Sequence, residues 1–271
     1  MTRQRMGFRE IMRKIVCFDM DMTLLDHRTF AIPKSAMRGL DGLRAKGHIL
    51  VIASGRDMDS EFSRHLAELV RPDAIVHSNG QKVTVGEKRI RELFMEPELI
   101  QSLLRFADER KICIGSNIGD KGCYVNQEEV IAHEKKVFGD CSREFIDPVN
   151  LPDFPLYALA MFGTPEQALE IEEAFPMLKL PLFAGRDGAD VIYRKASKAE
   201  GIQALLEYYQ MGWEDVVAFG DSMNDMEMIE YAGLGIAMGN AIEPLKKVAD
   251  YVTDPIDQDG VWHGLIHAGI L

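Results

Sequence analysis

Four short apolar runs set the architecture this chain can adopt: IVCF at 15–18, HILVIA at 48–53, AIVH at 74–77 and VVAF at 216–219. Each is apolar throughout rather than alternating, and each is too short for a stable helix, so each reads as a strand covered on both faces of a parallel sheet. Each also stops at small or polar residues: Asp19, Ser54-Gly55-Arg56, Ser78-Asn79-Gly80 and Gly220-Asp221-Ser222. Helical stretches follow. Pro33-Lys34-Ser35 opens one that puts Ala36, Met37, Leu40 and Leu43 on one face, with Gly47 as its C′ residue. Asp57 is expected to N-cap the next, which carries Phe62, Leu66 and Leu69.

The strand–loop–helix rhythm breaks between residues 82 and 190. Segments 82–85 and 90–93 flank Gly86-Glu87-Lys88, a hairpin signal. A helix over 98–110, strands at 112–114, 124–125 and 156–161, a helix over 165–175, and strands at 180–184 and 190–193 follow. After Lys195 the rhythm returns: a helix over 198–209, the strand 216–219, a helix over 224–231, a strand at 234–237, a helix over 241–249, a strand at 251–252 and a last helix within 261–268. The pattern predicts an α/β parallel-sheet core made of residues 13–81 and 191–271, with an α+β domain inserted at 82–190. Residues 1–12 read as an extension ahead of the first strand, with Met12 as a candidate start.

Composition narrows the function. The chain has 271 residues, and its net charge of −12 argues against a general nucleic-acid or anionic-membrane surface. There is no apolar run of transmembrane length and no apolar signal-peptide core. Cys17, Cys113, Cys123 and Cys141 form no CxxC or Cys/His cluster, which disfavours a zinc site or disulfide framework and fits a cytoplasmic setting.

Asp19 and Asp21 lie two residues apart where a buried strand ends, so like charges are held together and need a cation, a proton or a substrate group to relieve them. Further polar clusters follow other strands or open a helix: Ser54-Gly55, Lys198, and Asp221 with Asn224 and Asp225. In open parallel sheets ligands bind beyond the carboxyl ends of the strands, so these distant residues are expected to meet at one rim. Carboxylates with few other protein ligands suit Mg²⁺, whose shell is completed by water and phosphate.

DMDMT at 19–23, SGR at 54–56, SKAEGI at 197–202 and GDSMND at 220–225 occur in this order, and together they resemble the four motifs of the haloacid dehalogenase (HAD) superfamily of phosphohydrolases. The position and size of the insert resemble the Cof-type branch with a type-IIB cap. The resemblance implies a Rossmann-like core, an α+β cap and a phosphatase acting on a small phosphorylated metabolite such as a sugar phosphate. It implies Asp19 as nucleophile, forming an aspartyl-phosphate, and Asp21 as the acid that protonates the leaving oxygen and then takes a proton from water. Asp21 is expected to be protonated for the first step. Mg²⁺ would be held by the Asp19 carboxylate, the Asp21 carbonyl and the Asp221 carboxylate. Ser54, Gly55, Lys198 and Asn224 would hold phosphate, Thr23 would support the loop, and Asp225 would either sit near the metal or orient Lys198.

Rival readings remain beside these. A phosphotransferase or mutase would carry the same motifs, and a phospho-aspartate switch would share the carboxylates and lysine. Lys195 competes with Lys198. Arg56 reads equally as a salt-bridge former or a substrate contact, Asn79-Gly80 as a turn into the insert ahead of a substrate or hinge role, and His263 with His267, four apart on a helix, as surface or packing residues ahead of metal ligands. The turn 185–188 is a candidate specificity element. Met22 departs from the family, which has glycine there: it either bears backbone strain or narrows the phosphate entrance.

Overall fold

The computed structural model describes residues 13–60, 63–183 and 185–271; the extension and candidate start at residues 1–12 lie outside them. The first strand, β1 (Ile15–Phe18), is wholly buried, as its unbroken apolar run requires. It is followed by α1 (Lys34–Ala45), β2 (Ile49–Ala53), α2 (Arg64–Val70), β3 (Ala74–His77) and the hairpin β4 (Lys82–Val85) and β5 (Lys88–Glu92). Next come α3 (Pro97–Arg110), β6 (Cys113–Ile118), β7 (Lys121–Val125), α4 (Glu128–Phe138), β8 (Leu159–Phe162), α5 (Pro165–Ala174), β9 (Leu178–Lys179) and β10 (Gly188–Tyr193). The chain closes with α6 (Lys198–Tyr209), β11 (Val216–Gly220), α7 (Met226–Tyr231), β12 (Leu234–Ala237), α8 (Glu243–Val248), β13 (Tyr251–Val252) and α9 (Gly260–His267).

Two sheets result. The first has the order β13-β12-β11-β1-β2-β3-β4-β5, parallel from β13 to β3 and antiparallel over the last two pairings. From β1 the chain winds to β2 and β3 on one side, and later from β11 to β12 and β13 on the other. The order therefore reverses between β1 and β11, where ligands bind in open α/β sheets. The second sheet, β7-β6-β8-β10-β9, is antiparallel. It has its own core, in which Ile100, Leu103 and Ala107 of α3 pack on Ile114, Leu159, Met161 and Val191.

The expected fold class holds, with local corrections. The hairpin at 82–92 was assigned to the insert, but β4 pairs with β3 and extends the first sheet. Neither strand is continuously apolar: β4 (KVTV) is nearly buried between β3 and β5, and β5 (KRIRE) is a polar, largely exposed sheet edge. Helix α4 has no counterpart in the sequence reading, although Val130 sits on an apolar stripe there. The strand expected at 180–184 is a bridge between Leu182 and Ala189 beside a two-residue β9. Asp57 does not cap α2, which starts after Ser63; it accepts a hydrogen bond from Lys82 instead (2.8 Å). Phe62 lies outside the described residues. Gly47 closes α1 with φ +79, the left-handed conformation expected at C′.

Candidate active site

Parallel pairing puts Phe18 of β1 level with Phe219 of β11, so the residues that follow the two strands emerge side by side. The Asp19 amide donates to the Phe219 carbonyl (3.0 Å), which fixes the first carboxylate against the second loop. Asp19, Asp221 and Asp225 have carboxylate oxygens within 4.8 Å of one another. Lys198 enters this cluster from the first turn of α6, with Ser197 as N-cap. A cation at a helix N-terminus opposes the dipole, and two contacts offset that cost: Lys198 Nζ donates to Asp19 Oδ1 and to Asp225 Oδ1, each at 2.6 Å. The other Asp225 oxygen accepts from the amides of Asp221 and Ser222 (2.9 Å each). Asp225 therefore orients Lys198 and ties the loop. Lys195 is exposed, with its ammonium over the Tyr193 ring, so Lys198 alone of the two lysines enters the cluster.

Three buried or half-buried carboxylates against one lysine leave uncompensated negative charge, and the protonation states record it. Burial pushes the Asp19 carboxyl up to about 7 despite the neighbouring Lys198. Burial, then repulsion from Asp19 and Asp225, pushes Asp221 up to about 9. Thr23 Oγ1 donates to Asp221 Oδ1 (3.3 Å). An all-oxygen donor set whose carboxylates are pushed toward their protonated forms by burial and then by one another fits a hard divalent cation such as Mg²⁺.

Asp21 lies in a different electrostatic setting. Arg56 donates to it through Nε and Nη2 (2.7 Å each), and His27 Nε2 lies 2.6 Å from its Oδ1. Burial acts to raise its pKa, but the hydrogen bonds to His27 and Arg56 outweigh burial and hold the carboxyl well below the usual range. Asp21 is therefore held ionised in this conformation. Arg56, whose role the sequence leaves even, forms a two-point clasp on it. Ser54, fully buried, accepts from the Arg56 amide (3.1 Å).

A second polar chain runs beside Gly55. Asn79 Nδ2 donates to Asp190 Oδ2 (2.9 Å), Asn224 Nδ2 donates to Asn79 Oδ1 (3.0 Å), and Ser222 Oγ donates to Asn224 Oδ1 (2.7 Å). It links β10 of the second sheet to the loops after β3 and β11. A side chain at Gly55 would meet Asp190 Oδ2 at 3.2 Å, so glycine leaves that approach open. Asp190, pushed up to about 6 by burial, was missed by sequence reasoning, because an aspartate inside a strand pattern carries no local signal. Asn79, read as a turn residue, does adopt a left-handed backbone (φ 52), but its amide is also the middle of this chain.

The remaining candidates resolve simply. Met22 has φ 58, so its position does require the left-handed region, and Asn240 Nδ2 holds its carbonyl (2.9 Å). It packs against the first core. His263 pairs with Asp254 (2.7 Å) and His267 stacks on Tyr251 (3.7 Å between ring centroids), both packing roles. Asp57, Asp59 and His77 cluster, but Lys82 already fills the space between the two carboxylates (2.8 and 2.6 Å). Asp187 of the 185–188 turn pairs with Lys136 (2.9 Å).

A family model described as haloacid dehalogenase-like hydrolase matches residues 16–265. The chain belongs to that family. Within the HAD-like hydrolases it is a Cof-type phosphatase. It is 32% identical over 266 residues to YkrA of Bacillus subtilis, which is named as a phosphatase; the match covers 95% of this chain and 98% of YkrA. A second relative, the 5-amino-6-(5-phospho-D-ribitylamino)uracil phosphatase YcsE of the same organism, is 26% identical over 94% of this chain and 95% of its own. Among solved structures, the HAD subclass IIB sugar phosphatase BT4131 superposes with a TM-score of 0.84 at 27% identity, covering 95% of this chain and 100% of that one. No helix among the described residues is long and apolar enough to cross a membrane.

Proposed function

We propose that the protein is a Mg²⁺-dependent phosphatase that hydrolyses a small phosphorylated metabolite through an aspartyl-phosphate on Asp19. The observation that carries this is the Lys198 bridge between Asp19 and Asp225 beside Asp221, at the point where the strand order reverses. Asp19 attacks phosphorus while the ester P–O bond breaks and the leaving oxygen takes a proton from Asp21. Water then attacks the aspartyl-phosphate, Asp21 takes its proton, and phosphate leaves with Asp19 regenerated. Ser54, the Gly55 amide, Lys198 and Asn224 position the phosphoryl oxygens. Asp19, the Asp21 carbonyl and Asp221 would hold Mg²⁺, which supplies charge neutralisation for the transferring group.

The clasp on Asp21 gives the cycle an order. While Arg56 holds it, Asp21 is ionised, the state needed to take a proton from water. A phosphate dianion that draws Arg56 to itself removes one of the two partners that hold Asp21 ionised, the other being His27, and shifts Asp21 toward the protonated state that donates to the leaving group.

The cap of this reading is the segment from α3 through β10, and the remaining described residues form the core. A cavity of about 770 Å³ lies between the two, with Gly55, Arg56 and Asp190 at one end and residues of the second sheet at the other. It is large enough for an organic group well beyond the phosphate, such as a sugar. The sugar phosphatase activity named for BT4131 supports this class of substrate. The four unbridged cysteines fit a reducing, cytoplasmic setting.

Asp19→Asn keeps the shape of the side chain and removes the nucleophile. Hydrolysis of an aryl phosphate with Mg²⁺ is expected to fall to background while the circular dichroism spectrum is unchanged. Retained turnover would overturn the assignment.

A further inference from the structure

The polar chain beside Gly55 has a direction, and one residue sets it. A primary amide can face either way, and its neighbours decide which. Asn79 is buried; its backbone amide donates to the Ser54 carbonyl (3.0 Å), and its side chain lies between Asp190 and Asn224. An ionised carboxylate only accepts hydrogen bonds. Asp190 therefore draws the Asn79 nitrogen to itself (2.9 Å), which turns the Asn79 oxygen toward Asn224, and that oxygen draws the Asn224 nitrogen (3.0 Å). At the far end the Asn224 oxygen accepts from the Ser222 hydroxyl (2.7 Å), a group that can donate or accept and so imposes no direction of its own. Reversing the two amides would set the Asn79 oxygen against the Asp190 carboxylate, two acceptors with no proton between them.

The direction matters because of where Asn224 sits. A Cβ built on Gly55 would lie 3.6 Å from Asn224 Nδ2, 3.3 Å from Asn79 Nδ2 and 3.2 Å from Asp190 Oδ2, so the chain passes close beside Gly55. Asn224 Nδ2 carries two protons. Asn79 takes one of them, and the other is a donor for a phosphoryl oxygen held beside Gly55. Turned around, Asn224 would present its carbonyl oxygen, which repels phosphate. Asp190 itself is fixed in the second sheet: it stands opposite Ala160 of β8, and its amide donates to the Pro181 carbonyl (3.2 Å). A strand of the cap thus sets the polarity of a donor in a loop of the core.

We propose that Asp190 is a positioning residue for the phosphate site: acting through Asn79, it fixes the Asn224 amide with its nitrogen, not its oxygen, toward the phosphoryl group. In this role Asp190 touches neither the phosphate nor the organic part of the substrate. This rests on the phosphatase reading above, in which Asn224 holds phosphate, and adds the group that orients it.

The test compares wild type, Asp190→Asn and Asn79→Gly with Mg²⁺ at pH 8, where Asp190, pushed up to about 6 by burial, is ionised. Asp190→Asn keeps the shape of the side chain but offers a donor as well as an acceptor. Asn79→Gly removes the middle of the chain at a position whose φ of 52 glycine accepts. The substrates are glucose 6-phosphate and acetyl phosphate, whose small leaving group gives the cap little to contact, and inorganic phosphate is the competitive inhibitor. Each variant is expected to lose about ten-fold in kcat/KM on both substrates alike, and the inhibition constant for phosphate is expected to rise by a similar factor. In an Asn224→Ala background neither substitution is expected to cost more than about two-fold further. Thermal melts check that each variant is folded. A loss confined to glucose 6-phosphate, with acetyl phosphate turnover and phosphate inhibition unchanged, would place Asp190 against the organic group and overturn the proposal. A loss that persists in full in the Asn224→Ala background would do the same, since it marks a merely structural role; both results leave the phosphatase reading standing. Absence of Asp19-dependent hydrolysis of both substrates brings down the phosphatase reading and this one with it.

Discussion

Removing divalent metal is expected to make this protein less stable as pH rises from about 5 to 8. Asp19 carries a pKa of about 7 against 3.8 for the free side chain, and Asp221 is raised further. Between those values the folded state keeps protons that the unfolded chain has released, so folding binds protons and stability falls as pH rises. Below about pH 4 both states are protonated and the penalty vanishes; above the folded pKa it is complete. For one carboxylate raised by about three units, at about 1.4 kcal/mol per unit, the loss approaches roughly 4 kcal/mol by pH 8. Coupling between Asp19 and Asp221 makes that a scale for the pair rather than a value for each. Asp21 and Asp57 are shifted the other way, so their contribution is lost only in more acidic solution, outside this window. A cation between the carboxylates takes the place of the protons. Urea unfolding at pH 5 and pH 8, in chelator and in Mg²⁺, is expected to show the pH 8 deficit in chelator and its recovery in Mg²⁺. Mg²⁺ should stabilise more at pH 8 than at pH 5, and Asp221→Asn should reduce both the deficit and the recovery. Stability in chelator that is flat or rises over this window would refute the reasoning, as would equal Mg²⁺ stabilisation of wild type and Asp221→Asn.

Two further changes test the surrounding loops. Arg56→Gln removes the charge that helps hold Asp21 ionised, so the acidic limb of the pH–rate profile is expected to move to higher pH; an unmoved limb with reduced kcat would assign Arg56 to phosphate alone. Met22→Gly relieves a side chain held at φ 58 and is expected to stabilise by about 1 kcal/mol in a thermal melt, less whatever Met22 contributes by packing on the core; marked destabilisation would show that packing dominates.

Much of the site was legible because its residues sit where strands end. A continuous apolar run announces a strand buried on both faces, and the polar residues after it must then lie at the sheet's carboxyl rim. That places Asp19, Ser54 and Asp221 without coordinates, and the order of the motifs carries Lys198 with them. The cap was less legible. Its strands are short, and α4 gave no cap signal, since Gln127 makes no side-chain capping bond. The hairpin after β3 carried a clear turn signal, but no local pattern says which sheet a hairpin will join.

The sequence by itself determined the order of buried strands, the residues at their ends and the excess of negative charge that has to be relieved there. Tertiary structure alone decided how that charge is shared. Lys198 meets Asp19 across 179 positions of sequence, Arg56 clasps Asp21 across 35, and Asn79 meets Asp190 across 111. Hydrogen bonds act over about 3 Å and burial acts through all neighbours at once, so neither protonation state nor partner can be read along a chain. The two aspartates that open the site show this most plainly: sequence made them a pair, and packing gave one a lysine and the other an arginine.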